Sequence, residues 1–430
     1  MIKIMDLRSG ADNSLYEKLI SRSQMDMEPV LNTVNEIVTN VRLKGDRSVI
    51  EYTAKFDKVQ LTSDTLKVSG EEIKKAYEMI DENLLNVIKR AKSNIEAFHE
   101  KQKEKSWITT ENDGVILGQL YRALETVGVY VPGGTAPLPS TVLMDVIPAK
   151  VAGVENIILC TPPGADGKVN PVILAAANEA GVTEIYKVGG AQAIAAMAFG
   201  TETIPKVDKI VGPGNVYVNT AKRMVFGFCD IDMFAGPSEI AIIADDSADA
   251  KYIAADLLSQ AEHDRLSSSV LVTISEKLAM EVQNEIEKQN AVLPRKDIST
   301  QSINEYGAII IVGSIDEAVD IVNTIAPEHL EVCVENAFDL IGSIKNAGAI
   351  FLGNYSSEPL GDYFAGPNHT LPTSGTARFF SPLNVNDFIK KTSLISYTKN
   401  ALEKVKNDVI LFAEAEGLKA HANAIRVRFE

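Results

Sequence analysis

Five histidines occur in the 430 residues, His99, His263, His329, His369 and His421. Imidazole is the side chain best placed to ligate a metal or move a proton near neutrality. Gln260 and His263 stand three apart in the run Ser259-Gln260-Ala261-Glu262-His263-Asp264. That spacing puts both on one face of a helix end. An imidazole beside an amide oxygen is a partial site for a borderline or hard cation, although a lone Gln-x-x-His pair is more often structural. Glu328 and His329 are adjacent, after Pro327 and before an apolar run. A carboxylate next to an imidazole at a helix-to-strand junction is a candidate acid/base pair, or else a polar turn. Asp362 and His369 lie in a Gly/Pro/Ser-rich stretch, 361–382, that reads as a long loop. Loops of that length inside compact domains are commonly functional. His421, with Glu416 five residues earlier, belongs to the last helical pattern. Gln260, His263, Asp362 and His421 together would make a nitrogen and oxygen set suited to zinc, with positions open to substrate. His99, among Glu100, Lys101 and Lys103, reads as a solvated surface residue.

Elements must hold these groups. Apolar runs at 127–131, 156–160, 184–188, 240–244, 269–273, 308–312, 330–334 and 349–352 read as strands. Helical patterns at 171–180, 215–225, 248–261, 277–287, 315–325 and 337–346 lie between them. In the helix that ends near His263, Ile253, Ala254, Leu257, Leu258 and Ala261 form the buried stripe. Such alternation is the signature of parallel α/β layers. The expected fold is α/β, with two incomplete Rossmann-like parallel-sheet domains, a small N-terminal arm and a C-terminal helical unit. The expected boundaries are 1–24 for the arm, 25–128 and 237–382 for the larger α/β domain, and 129–236 for the second. The C-terminal unit is expected over 383–430, with helices around 388–395 and 402–420. Binding crevices are expected at the carboxyl ends of the strands.

Three glycine turns follow strand-like runs. They are Val131-Pro132-Gly133-Gly134, Val188-Gly189-Gly190-Ala191-Gln192 and Gly212-Pro213-Gly214-Asn215-Val216-Tyr217. They would line a phosphate or cofactor cleft, or serve simply as turns. None completes the dinucleotide fingerprint, and no P-loop is present.

A net charge of −16 without a Lys/Arg block argues against nucleic acid. No stretch is apolar and long enough for a bilayer span, and the N-terminus lacks the apolar core of a secretory signal. Three cysteines, an odd and widely spaced set, argue against a disulfide framework and against thiolate zinc. Cys160 and Cys333 are expected to be small buried hydrophobes, and a reducing cytoplasm is the expected compartment.

The order of the motifs is more specific than any one of them. Ile231-Asp232-Met233-Phe234-Ala235-Gly236-Pro237-Ser238-Glu239 precedes Asp256-Leu257-Leu258-Ser259-Gln260-Ala261-Glu262-His263. With the glycine turns, Pro327-Glu328-His329-Leu330 and Asn368-His369-Thr370-Leu371-Pro372, the chain closely resembles histidinol dehydrogenases over nearly its whole length. The resemblance implies a zinc enzyme that oxidises L-histidinol to L-histidine through L-histidinal, with two NAD+ and two hydride transfers. By that resemblance Gln260, His263, Asp362 and His421 match the zinc ligands, and Glu328 and His329 the acid/base pair. Ser238, His369 and Glu416 match substrate contacts, which the zinc ligands and His329 share. Tyr130, Gln192 and Asn215 match cofactor contacts. The resemblance also implies a homodimer with shared active sites, in which the C-terminal unit dimerises and gives Glu416 and His421 to the neighbouring chain. A zinc hydrolase or deaminase would use the same metal set but leave the glycine turns unexplained. A non-catalytic nucleotide-binding protein would need the metal set not to converge.

Overall fold

The computed structural model describes residues 1–9, 28–110, 113–133, 137–234 and 236–430. They divide into two compact units, Met1–Gln102 with Glu125–Phe388, and Lys103–Leu124 with Ile389–Glu430.

The first unit is built on two parallel sheets. The runs Glu239–Ala244, Ser268–Thr273, Gly307–Ile311 and His329–Cys333 are buried at every position. Strands covered on both faces require this. From one edge the larger sheet runs Lys3–Asp6, Gly307–Ile311, Ser268–Thr273, Glu239–Ala244, His329–Cys333, Ala349–Leu352. Successive side chains leave on opposite faces. Ile240, Ile242, Leu271 and Ile309 meet Leu257 and Val282 of two helices on one face, and Ile243, Val270 and Ile310 meet Val319 and Val322 on the other. The first residues thus form an edge strand, Lys3–Asp6, rather than a free arm. The remainder of the expected arm, from residue 10, lies outside the described residues. The smaller sheet runs Glu184–Lys187, Asn156–Thr161, Thr126–Tyr130, Lys209–Val211, Asp230–Ile231. Cys160 and Cys333 are free and buried in strands, as their apolar neighbours predicted.

The helix Glu28–Lys44 lies in the stretch expected to belong to the larger domain. Its stripe Val34, Ile37, Val38 and Val41 instead joins the core of the smaller one, against Ala193, Ile194 and Val218. The small side chains of the Ala-rich helix Gly190–Phe199 leave room for that β-branched face. A further helix, Lys296–Tyr306, has too weak an apolar stripe to stand out in the sequence. The helix expected at 337–346 is only a short turn of 3-10 helix, Ala337–Leu340.

The second unit holds an antiparallel sheet in the order Ile389–Tyr397, Val115–Ala123, Trp107–Thr109. Two helices follow, Lys399–Ala415 and Lys419–Arg426. The stretch expected as a helix at 388–395 is therefore a strand, paired over nine residues from Ile389↔Ala123 to Tyr397↔Val115. Its β-branched Ile389, Thr392 and Ile395 favour a pleated surface over a helix. That pairing also removes 103–124 from the stretch expected in the larger domain. Among the described residues no helix is long and apolar enough to cross a membrane.

Candidate active site and metal centre

In a parallel sheet each connecting helix runs antiparallel to the strands. The helix Ala250–Ala261 leaves the carboxyl end of Glu239–Ala244 and so returns Gln260 and His263 to the amino edge of the sheet. Glu328 and His329 stand at the same edge, because His329 is the first residue of its strand and pairs with Ile240. The expectation of a carboxyl-edge crevice fails for this sheet. The acid/base pair precedes its strand, and the Gln-x-x-His pair ends the returning helix. Asp362 is not in a loop either. It lies in the short helix Glu358–Tyr363, whose first turn carries Pro359.

Glu328 and His329 are fixed by one residue of the neighbouring strand. Glu328 Oε2 accepts from the Glu239 N–H at 2.9 Å, and His329 Nδ1 lies 3.0 Å from the Glu239 carbonyl oxygen. A carbonyl only accepts, so Nδ1 carries a proton and Nε2 faces the site. Nε2 is buried without a hydrogen-bond partner and stands 3.7 Å from Asp362 Oδ1. His369 Nδ1 lies 3.7 Å from the same oxygen. One ring nitrogen of His263 and one oxygen each of Glu358 and Asp362 all lie within 4.8 Å of one another. Gln260 is fully buried, and neither its Oε1 nor its Nε2 has a hydrogen-bond partner. Leaving such an amide unpaired costs about 1–3 kcal/mol.

The electrostatics follow from burial and crowding. Burial pushes Glu328 up to about 8. Burial, then the Asp362 carboxylate, pushes Glu358 up to about 8. Burial works against the imidazolium of His329, but Glu328 and then Asp362 outweigh it and push His329 up to about 10. Burial opposes the charge on Asp362 too, yet His329 and His369 hold its carboxyl well below the usual carboxylate range. Among these acids Asp362 thus keeps its charge most readily, beside the convergent His263 and Glu358.

The donor chemistry fits a zinc-type ion. It comprises an orphaned amide oxygen, an imidazole and carboxylates, with no thiolate. Ser238 precedes Glu239 at the same edge, and its carbonyl accepts from the Ser268 N–H at 3.0 Å. Glu416 and His421 belong to the second unit and are exposed there, Glu416 at the end of Lys399–Ala415 and His421 within Lys419–Arg426.

The smaller sheet obeys the carboxyl-edge rule. Tyr130 ends its strand, and its hydroxyl accepts from the Gly190 N–H at 3.1 Å. Gln192 is buried with Oε1 unpartnered. Asn215 caps the helix Val216–Val225 through the N–H groups of Tyr217 and Val218, which leaves its Nδ2 to donate. Gly212 has φ +113°, and a Cβ there would fall 2.1 Å from the Tyr130 carbonyl oxygen, so only glycine fits. Gly134 of the first turn lies outside the described residues. A cavity of about 680 Å³ opens beside the first of these turns, lined by Pro132, Gly133, Thr161, Pro162, Glu72 and Lys168 among others.

Three features escaped sequence reading. Glu358 stands four before Asp362, a spacing that shares a helix face, but the loop expected from residue 361 concealed the helix that joins them. Lys222 is fully buried, with Nζ donating to the Gly212 carbonyl at 3.0 Å and paired with Asp232. Asp232 in turn accepts from the Gly212 N–H at 2.8 Å, so an ion pair clamps the glycine turn. His99 is not a surface residue. It is buried, with Nδ1 2.7 Å from Gln102 Oε1 and Nε2 3.5 Å from Asn368 Nδ2. The residues that suggested exposure lie beyond the helix, and the ring turns inward at its end. Asn368 also donates to the Met144 carbonyl at 2.6 Å, and Thr370 to Asp145 Oδ1 at 2.8 Å. His369 is thereby held from both sides.

A profile of the family described as histidinol dehydrogenase matches residues 20–429. Histidinol dehydrogenase of Caldanaerobacter subterraneus subsp. tengcongensis is 56% identical over 100% of this chain and 99% of its own length. That of Listeria innocua is 57% identical over 99% of each chain. The crystal structure of histidinol dehydrogenase from Elizabethkingia anophelis superposes with a TM-score of 0.93 at 43% identity, covering 100% of this chain and 98% of that one.

Proposed function

The chain belongs to the histidinol dehydrogenase family and is an oxidoreductase acting on histidinol in histidine biosynthesis; on that premise we propose that it works with zinc and NAD+ as a homodimer. The observation that carries the zinc reading is the buried, unpartnered amide of Gln260 beside the convergent His263 and Asp362. Gln260, His263 and Asp362 would hold the ion, with His421 of a second copy as the fourth ligand. Bound zinc would anchor the substrate's nitrogen atoms, and NAD+ would accept hydride from the carbinol carbon.

The remaining work falls to side chains of this chain. The net chemistry is alcohol plus NAD+ to aldehyde, NADH and a proton, then aldehyde, water and NAD+ to carboxylate, NADH and two protons. His329 Nε2 takes the hydroxyl proton in the first half, with Nδ1 locked on the Glu239 carbonyl. A cation held by Asp362 would draw the His329 pKa down and free Nε2 to accept. Glu328 takes a proton from the water that adds to the aldehyde. Its raised pKa suits a base matched to a near-neutral medium. His369, Ser238 and Glu416 contact substrate, and Tyr130, Gln192 and Asn215 contact the cofactor.

Exposed apolar side chains of the second unit, Trp107, Ile108, Ile395, Leu411 and Phe412, support dimerisation through that unit. Three free cysteines suit the cytoplasm. The deciding assay is histidinol-dependent NADH formation before chelation, after it, and after zinc is returned. Activity should vanish with the metal and come back with it. No NADH from the zinc-replete protein would refute the assignment.

A further inference from the structure

Beneath the residues assigned above lies a second tier of carboxyl groups. Asp256 stands four before Gln260 on the helix Ala250–Ala261, and Glu358 four before Asp362 on the short helix. Glu331 stands two after His329 on its strand. These spacings place each carboxyl on the same face of its element as the functional residue. Glu331 and Glu358 are each 1% exposed. Burying acids so deeply is costly compared with burying apolar side chains of similar volume.

Glu358 has contacts on three elements. Its N–H donates to Glu331 Oε1 at 2.7 Å, which ties the start of the short helix to the His329 strand. Its Oε2 is hydrogen-bonded with Ser259 Oγ at 3.1 Å, one residue from Gln260. Its carboxyl also lies against that of Asp362 and near the His263 ring. The elements it joins are therefore those that carry Gln260 and His263, His329, and Asp362.

We propose that Glu358 is a positioning residue of this site. Its carboxyl sets the separation between the helix end that carries Gln260 and His263 and the short helix that carries Asp362, and so governs how tightly and in what geometry a divalent cation is held. It acts through Ser259 and Asp362. The inference rests on the zinc reading above, and the test separates the two.

The full-length protein, stripped by chelation, is titrated with Zn2+ against a chromophoric chelator and loaded with Co2+ to record the visible d–d bands. If the unsubstituted protein binds no stoichiometric Zn2+, the zinc reading itself falls, and this inference with it. Once that binding is in hand, Glu358→Ala should weaken it roughly 10–100-fold, the usual cost of losing an outer-sphere partner of a metal ligand. The same variant should shift the Co2+ bands. Ser259→Ala should give a smaller loss in the same direction. Glu358→Gln keeps the shape and a hydrogen-bonding oxygen, so it should recover most of the affinity. Parental affinity and Co2+ spectrum in Glu358→Ala would overturn the proposal while leaving the zinc reading intact. A loss in Glu358→Gln as large as in Glu358→Ala would overturn it in favour of a direct charge contribution. Should Glu358→Ala not fold, Ser259→Ala and Glu358→Gln decide, and parental behaviour in both overturns it.

Discussion

His329 and Glu239 are joined side chain to main chain, imidazole Nδ1 to carbonyl oxygen at 3.0 Å. The bond fixes the ring's tautomer and aims Nε2 at the site. His329→Asn keeps a donor toward Glu239 but loses the base. Turnover should fall by roughly 10²–10⁴, the usual weight of general acid/base catalysis, with the fold intact by circular dichroism. Activity within a few-fold of the parent would remove His329 from the chemistry.

Glu328 faces the same strand through its carboxylate rather than through a ring. Glu328→Gln should therefore slow oxidation of the aldehyde far more than oxidation of the alcohol. Stopped-flow measurement started from each substrate resolves the two halves. Equal losses would sink the division of labour.

Gln260 presents an unusual opposition between stability and function. Its amide is buried without hydrogen-bond partners, so Gln260→Leu should stabilise the zinc-stripped protein by about 1–3 kcal/mol. The same change should weaken Zn2+ binding. Urea denaturation of the stripped protein and a Zn2+ titration give the two readouts. A destabilised variant that binds Zn2+ normally would contradict the assignment.

Asp145 supplies a pH signature away from the proposed metal ligands. Burial, the largest influence on it, raises its carboxyl from 3.8 to about 8. Between these values the folded chain holds a proton that the unfolded chain has released. Its contribution is full below about pH 4 and is lost as pH rises to about 8. Asp145→Asn keeps an oxygen for Thr370 and has no proton to lose. It should flatten the fall in urea midpoint between about pH 5 and about pH 8. An unchanged slope would show that Asp145 does not titrate in that range.

Much of the first unit was legible because several of its strands are unbroken apolar runs. Ile240–Ala244 and Ala308–Val312 reveal themselves without any partner in view. The strand Ile389–Tyr397 was not legible, because IKKTSLISY has polar residues on both faces and its partner lies far back at Val115–Ala123. The position of Glu28–Lys44 was equally hidden. An apolar stripe shows that a helix is buried but not against what. At the site, Gln260, His263 and His329 stood out by residue type. Glu358 did not, since an acid beside a proline reads as solvated until its backbone N–H is seen on Glu331. The choice of sheet edge was also beyond local patterns, because it depends on where a returning helix ends.

That choice of edge sorts ligands by the polarity of the peptide group. At the larger sheet the site receives the carboxyl end of Ala250–Ala261, where the negative end of the helix dipole favours a cation. At the smaller sheet the turns open into the amino ends of Gly190–Phe199 and Val216–Val225, where the positive end of the helix dipole favours an anion such as pyrophosphate. By running one sheet amino edge first and the other carboxyl edge first, the fold would offer the proposed metal and cofactor opposite signs of the backbone's own field before any side chain contributes.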